Sequence, residues 1–263
     1  MESLAGGREN AIYQDGEAVL RPLSPWSPTI HRVLQHFEQQ GVQGVPRFID
    51  VEGQQERLSF VAGEAYNYPL TGEIAGLPAL HSAAALLRTL HDASVTFLAE
   101  HPVEKGTWML TPRKPYEVIC HGDFAPYNVA LQQGDVVGVF DFDTAHPAPR
   151  LWDLAYAVYC WAPFKTDSVD RLGTLDEQIA RAKVFCDGYG ATAVQREALP
   201  AAMVERLTAL VNFMRTEADN GNAQFAANIA DGHHFAYLAD IAYIQQHAGA
   251  LQQGLSEQQG LGE

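Results

Sequence analysis

The sequence predicts an α+β chain in which a small β-rich unit precedes a larger, mostly helical part. Three observations predict this. The first sixty residues read strand, strand, helix, strand, strand. Beyond residue 73 the chain carries long segments of helical period. Between them, apolar runs broken by turn signals cluster from Val118 to Asp143.

In order, Ala11-Ile12-Tyr13 and Glu17 to Leu20 flank Asp15-Gly16, a two-residue hairpin signal. With that turn, Ile12 opposes Val19 and Asn10 opposes Arg21, which puts Arg21 at the open end beside Gly6-Gly7-Arg8. Thr29 to Gln40 follows as a helix, with Ile30, Val33, Leu34 and Phe37 on one face and Gly41 as its stop. Val45 to Val51 and Arg57 to Val61 are strands around Glu52-Gly53. Residues 1–62 thus form one lobe, 63–73 a linker containing Pro69, and 74–263 a second lobe. The second lobe offers helices over Leu80–Leu98, Arg150–Trp161, Leu175–Tyr189, Glu197–Ala218 and Phe225–Ala250. Gln252 to Glu263, rich in Gln and Gly, reads as a fraying end.

Composition narrows the function classes. The 263 residues are 47% hydrophobic and 19% charged, as in a globular protein, and their formal net charge is −15. That charge disfavours nucleic acid and anionic membrane surfaces as partners and more easily accommodates a small neutral or cationic substrate. Cys120, Cys160 and Cys186 are odd in number and widely spaced, which suits a reducing cytosol rather than a disulfide framework. Met1-Glu2-Ser3 opens no signal peptide, and the charge-free run Ile74–Leu87 is too short to span a bilayer. A cytoplasmic protein is the expectation. The chain has no internal repeat, and its oligomeric state is not legible.

The chemistry concentrates in Val118-Ile119-Cys120-His121-Gly122-Asp123-Phe124-Ala125-Pro126-Tyr127-Asn128 and, after an apolar strand, Asp141-Phe142-Asp143. Gly134-Asp135 is a Gly-first turn that pairs Gln133 with Val136 and, in the same register, Asn128 with Asp141. An amide and a carboxylate would then share one face. Phosphoryl transfer needs a divalent cation to neutralise the phosphates, and hard oxygen donors such as Asn128 and Asp141 suit magnesium. Asp123, five residues before Asn128, can accept and orient the proton of an attacking hydroxyl. Protein kinases space their catalytic Asp and Asn in the same way.

These residues resemble the aminoglycoside phosphotransferase and choline kinase-like group. Its catalytic loop reads His-Gly-Asp, four residues, then Asn, and its metal-binding Asp ends an apolar strand. Leu90-His91-Asp92 and Pro149-Arg150-Leu151-Trp152-Asp153-Leu154-Ala155 continue the similarity, which is weak over roughly the last seventy residues. The resemblance implies a bilobal, protein-kinase-like fold with ATP and Mg²⁺ as cofactors. It also implies Asp123 as the catalytic aspartate and Asn128 and Asp141 as magnesium ligands. His121 reads as a structural residue of the loop, Asp143 as either a metal contact or a brace, and Asp153 as part of the helix that follows the metal site.

At the nucleotide end the pattern departs. Arg21 stands where such enzymes place a phosphate-binding lysine, and the early helix offers His31 and Gln35 rather than a glutamate partner; Glu38 lies near its end. Backbone atoms near Ser59 and Val61, on the strand running into the linker, are the expected adenine contacts. Trp152, Tyr156, Tyr159 and Trp161 read as core, and the adjacent His233 and His234 cannot face one metal. Residues 151–263 hold seven Lys+Arg against fourteen Asp+Glu, which reads as a solvated acidic surface and agrees with an acceptor that is cationic. The leading expectation is transfer of the γ-phosphate to a hydroxyl of a small molecule. A degenerate kinase-like binding or toxin-immunity module without turnover is the other expectation, favoured by the absent Lys and Glu.

Overall fold

A computed structural model describes residues 2–3 and 12–256. The amino-terminal part is one antiparallel sheet flanked by one helix. Strands β1 (Glu2–Ser3), β2 (Tyr13–Asp15), β3 (Ala18–Pro22), β4 (Phe48–Glu52) and β5 (Gln55–Ser59) lie in the order β1-β2-β3-β5-β4, and α1 (Ser27–Gln39) joins β3 to β4. The expected strand, strand, helix, strand, strand order is present, with β1 added before it. Pro28 sits in the first turn of α1, where its missing N–H costs nothing. Ile30, Val33, Leu34 and Phe37 form the buried face.

The first hairpin turns on Gly16-Glu17 rather than Asp15-Gly16, pairing Asp15 with Ala18 and Tyr13 with Leu20. Gly16 takes φ 61 while Asp15 and Glu17 do not take positive φ, so the strained conformation falls on the residue without a Cβ alone. Continued past Tyr13, this register puts Ile12, not Asn10, across from Arg21. Asn10 and the Gly6-Gly7-Arg8 segment lie outside the described residues.

The remainder is built on α2 (Leu77–Glu100), α3 (Arg150–Trp161), α4 (Leu175–Tyr189), α5 (Ala193–Asp219), α6 (Ala223–Ala230), α7 (His233–Gln246) and α8 (Ala248–Ser256). Reciprocal capping boxes start α4 at Thr174/Glu177 and α5 at Thr192/Gln195. The single helix expected over Phe225–Ala250 is three. Gly232, at φ 80 after Asp231, ends α6, and His247 separates α7 from α8. Gln252 to Ser256 belong to α8 instead of fraying; residues 257–263 are outside the described set.

The inner β element is two strand pairs, not one hairpin. β7 (Val129–Gln132) pairs with β8 (Asp135–Val139), and β6 (Val118–Cys120) pairs with β9 (His146–Ala148), whose Pro147 disguises it as loop in the sequence. The β6–β9 pair brings the two loops that leave its ends, 121–128 and 140–145, side by side. One hydrophobic cluster runs from α1 through α2 and the inner strands to α8. Trp161, Tyr159 and Tyr156 are buried in it, as expected of core. No helix among the described residues is long and apolar enough to cross a membrane.

Candidate active site

The loop between β6 and β7 is fixed from below by Asp153 in the first turn of α3. This carboxylate is fully buried and accepts hydrogen bonds from the backbone N–H of His121 at 2.7 Å and of Gly122 at 2.9 Å, and from His91 Nε2 of α2 at 3.0 Å. Burial alone would raise its pKa, but the His91 contact and the loop N–H groups outweigh it and hold the carboxyl down at about 2. The other nitrogen of His91 meets the Tyr189 hydroxyl at 2.7 Å. From the far side, Arg206 of α5 donates to the Gly122 carbonyl at 2.6 Å. Gly122 itself takes φ 82, and a Cβ there would strike the Thr144 carbonyl.

His121 ties this loop to the next. Its Nε2 donates to the Phe140 carbonyl at 3.0 Å while its Nδ1 accepts from the Asp123 N–H at 3.3 Å, a pattern one neutral tautomer satisfies. The Thr144 hydroxyl donates back to the His121 carbonyl at 3.0 Å. Geometry thus agrees with His121 as a structural residue.

Held this way, Asp123 is half-buried, with both oxygens engaged. Oδ1 accepts from the Tyr127 hydroxyl at 2.6 Å and Oδ2 from Asn128 Nδ2 at 2.9 Å. Asn128 therefore faces Asp123, not Asp141. The β7–β8 turn is Gln133-Gly134, both at positive φ, and a bulge follows, so the register slips and Asn128 sits across from Phe140, whose N–H it accepts at 2.9 Å. Asp141 lies one residue further on, at φ 62, a left-handed conformation that aspartate tolerates better than most residues.

Arg21 completes the cluster. Its Nε donates to Glu56 at 2.7 Å, its Nη2 to Asp143 at 2.7 Å, and its Nη1 lies 3.6 Å from Asp141. Burial works against this charge, yet Asp143, Glu56 and Asp141 together hold its pKa above the ordinary value. The partner absent from the early helix is thus Glu56, directly opposite Arg21 on β5 and itself buried. Glu56 also accepts from Ser27 at 3.2 Å and is hydrogen-bonded to His31 of α1. The sequence signal was the i-to-j pairing of β3 with β5, which no local pattern announces. Asp143 is a partner of Arg21.

At the linker, the Ser59 N–H is used by the Arg47 carbonyl at 2.8 Å, and its hydroxyl accepts from the Arg47 N–H at 2.8 Å. Ser59 is therefore spent within the sheet, and only Val61, whose backbone makes no hydrogen bond among the described residues, fits the expected adenine contact. His233 is exposed and His234 buried, so the two share no site. His91, Cys120 and Asp153 cluster closely enough for a metal, but the oxygens of Asp153 are already taken by N–H donors.

A sequence model of the phosphotransferase enzyme family matches residues 107–190, the stretch that carries the loop, Asp141 and Asp153. The trifolitoxin immunity protein of Rhizobium leguminosarum bv. trifolii is 30% identical over 206 residues, which are 73% of this chain and 75% of that protein. The chain belongs to the phosphotransferase enzyme family. Among solved structures, a choline/ethanolamine kinase family protein from Mesorhizobium loti superposes with a TM-score of 0.58 at 14% identity, covering 92% of this chain and 89% of that one. The Plasmodium vivax ethanolamine kinase gives 0.56 at 12% identity, covering 89% and 75%. At these identities the likeness is one of fold, and the fold is the bilobal, protein-kinase-like one expected from the sequence.

Proposed function

We propose that this family member is a small-molecule phosphotransferase that moves the γ-phosphate of ATP to a hydroxyl, with Mg²⁺. The observation that carries the reading is that Asn128 bonds Asp123 while Arg21 lies beside Asp141, whose charge in turn feels both Asp123 and Arg21. In the transfer, the bond from the γ-phosphorus to the bridging oxygen of ADP breaks, a bond to the acceptor oxygen forms, and Asp123 takes the hydroxyl proton. Tyr127 and Asn128 hold the Asp123 carboxylate in a single orientation, and the Asp153 anchor holds the loop beneath it. Most of the rate gain then comes from positioning and charge neutralisation.

The donor set fits a hard cation. Asp141 and Asp143 are carboxylates on one turn, and Asn128, whose amide nitrogen is turned to Asp123, leaves Oδ1 for a metal. Magnesium there supplies neutralisation of the phosphate oxygens. Arg21 offers its guanidinium to those phosphates, with Glu56 fixing its stem. Val61, at the end of a nucleotide lobe at 1–62 and just before the linker at 63–73 that leads to a catalytic lobe at 74–263, gives backbone groups to adenine.

The test is Asp123→Asn. Turnover should fall by about a thousandfold or more, while the Mg-ATP-induced rise in melting temperature is retained. Undiminished turnover would remove Asp123 from this role. A second reading, a ligand-binding or immunity module without turnover, is supported by the likeness to the trifolitoxin immunity protein and by Arg21 already pairing with Asp143 and lying beside Asp141. No melting shift at millimolar Mg-ATP would favour it.

A further inference from the structure

The hydroxyl acceptor must reach Asp123, and a group of tyrosines adjoins that carboxylate. Tyr127, bonded to Asp123, places its hydroxyl 3.3 Å from that of Tyr156. The Tyr68 ring meets the Tyr127 ring edge-on at 6.2 Å, and its own hydroxyl is fixed by the Cys160 carbonyl at 2.7 Å. Tyr68 comes from the linker, Tyr127 from the catalytic loop and Tyr156 from α3, so three separate elements converge on one wall. Tyr68 and Tyr127 are only half-buried, which leaves parts of both rings in reach of a ligand.

An aromatic wall of this kind can hold a cation against its ring faces. Here a cation of the chain already takes that place. Lys165 Nζ stands 4.4 Å from the centroid of Tyr68 and 5.2 Å from that of Tyr159, and Arg206 lies 4.4 Å over Tyr156. The acids that could counter an incoming amine are engaged. Asp240 accepts from Tyr159 at 2.7 Å and from the Thr166 N–H and hydroxyl at 2.6 and 2.8 Å. Asp170 is turned to Lys165 at 3.8 Å. Asp240 and Asp170 are therefore spent on groups of the chain itself.

We propose that the acceptor is a neutral or anionic hydroxy-aromatic molecule, its ring against Tyr68 and Tyr127 and any acidic group toward Lys165, and not a cationic amino sugar or amino alcohol. This rests on Asp123 as the group that orients the acceptor hydroxyl, and it reverses the cationic acceptor that overall charge suggests. The aromatic rings supply stacking area at low entropic cost, and Lys165, already seated on the Tyr68 ring, denies that face to a second cation.

Calorimetric titration of the full chain, with Mg²⁺ and a non-hydrolysable ATP analogue present, tests it with four probes: 4-hydroxybenzyl alcohol, 4-hydroxyphenylacetate, choline and kanamycin. The two aromatic probes should bind at least about tenfold more tightly than the two cationic ones, and Lys165→Glu should abolish or invert that ratio. Cationic probes binding as tightly as the aromatic ones, or no aromatic binding at millimolar concentration, overturns the inference. Should Lys165→Glu lower the melting temperature markedly, Tyr68→Leu serves instead. It should weaken the aromatic probes about tenfold and leave the cationic ones unchanged. Loss of the nucleotide-induced melting shift, measured separately, would sink the phosphotransfer reading rather than this one.

Discussion

Asp153 offers the sharpest test of how the candidate site is held. Asp153→Asn preserves volume but exchanges one acceptor oxygen for an NH₂ group. The two loop N–H donors at 2.7 and 2.9 Å and His91 at 3.0 Å then face one acceptor and one donor. One buried N–H loses its partner, and the charge-assisted bond to His91 is gone. The fall of the Asp153 pKa from 3.8 to about 2 corresponds to about 2.5 kcal/mol of stability at neutral pH. An orphaned buried donor costs about 1–3 kcal/mol, so about 3 kcal/mol is the expected loss. Unfolding entropy of roughly 2 cal/mol/K per residue converts this, for 263 residues, to a drop of about 5 °C in melting temperature. The sign with pH is fixed as well. A carboxyl whose pKa is lowered by folding stabilises the fold above its unfolded value of 3.8, and that gain is lost as pH falls toward 2. Differential scanning calorimetry of parent and variant between pH 7 and pH 2.5 should show curves that converge at the acid end. A drop below 1 °C at pH 7, or parallel curves throughout, would refute the anchoring argument.

Further outcomes follow from other contacts. Arg21→Met leaves the buried Glu56 facing only His31 and Ser27 and should destabilise the fold by about 3 kcal/mol, read by denaturant titration. Gly122→Ala should cost more than a typical loop substitution and cut turnover with it, because the residue is at φ 82 and its new Cβ meets the Thr144 carbonyl; a melting curve and an ADP-release assay read the two effects. His146 is held neutral, burial first of all driving its pKa from 6.5 down to about 4, so stability should decline by about 3 kcal/mol as pH falls across that window. His146→Gln should flatten that part of the pH–stability curve.

The sequence was legible wherever spacing along the chain was enough. Asp123 and Asn128 belong to one loop, five residues apart, and Arg150–Trp161 and Leu175–Tyr189 follow from helical period. What it misplaced depends on a turn and a bulge. Putting Gly134 first in its turn, rather than second, shifts the register by two residues, and the bulge between Ala130 and Leu131 gives one back, so Asn128 lies across from Phe140 and not Asp141. What it hid depends on partners far along the chain. Glu56, Asp240 and Arg206 are ordinary charged residues in sequence, and only tertiary packing buries them against Arg21, Tyr159 and Gly122.

Helix α1 is tied to the helical part of the molecule. Thr29 Oγ1 accepts the Thr107 N–H at 2.9 Å, His36 Nε2 meets the Ala93 carbonyl at 3.1 Å, and Phe37 packs near Phe142. The Arg21–Glu56 pair, by contrast, joins two neighbouring strands of one sheet. In protein kinases the corresponding ion pair spans strand and helix, so that a swing of the helix makes or breaks it. Here the pair lies between neighbouring strands, while Ser27 and His31 of α1 reach Glu56 from the helix side. A shift of α1 would change those hydrogen bonds on Glu56 and leave the Arg21–Glu56 pair to the sheet.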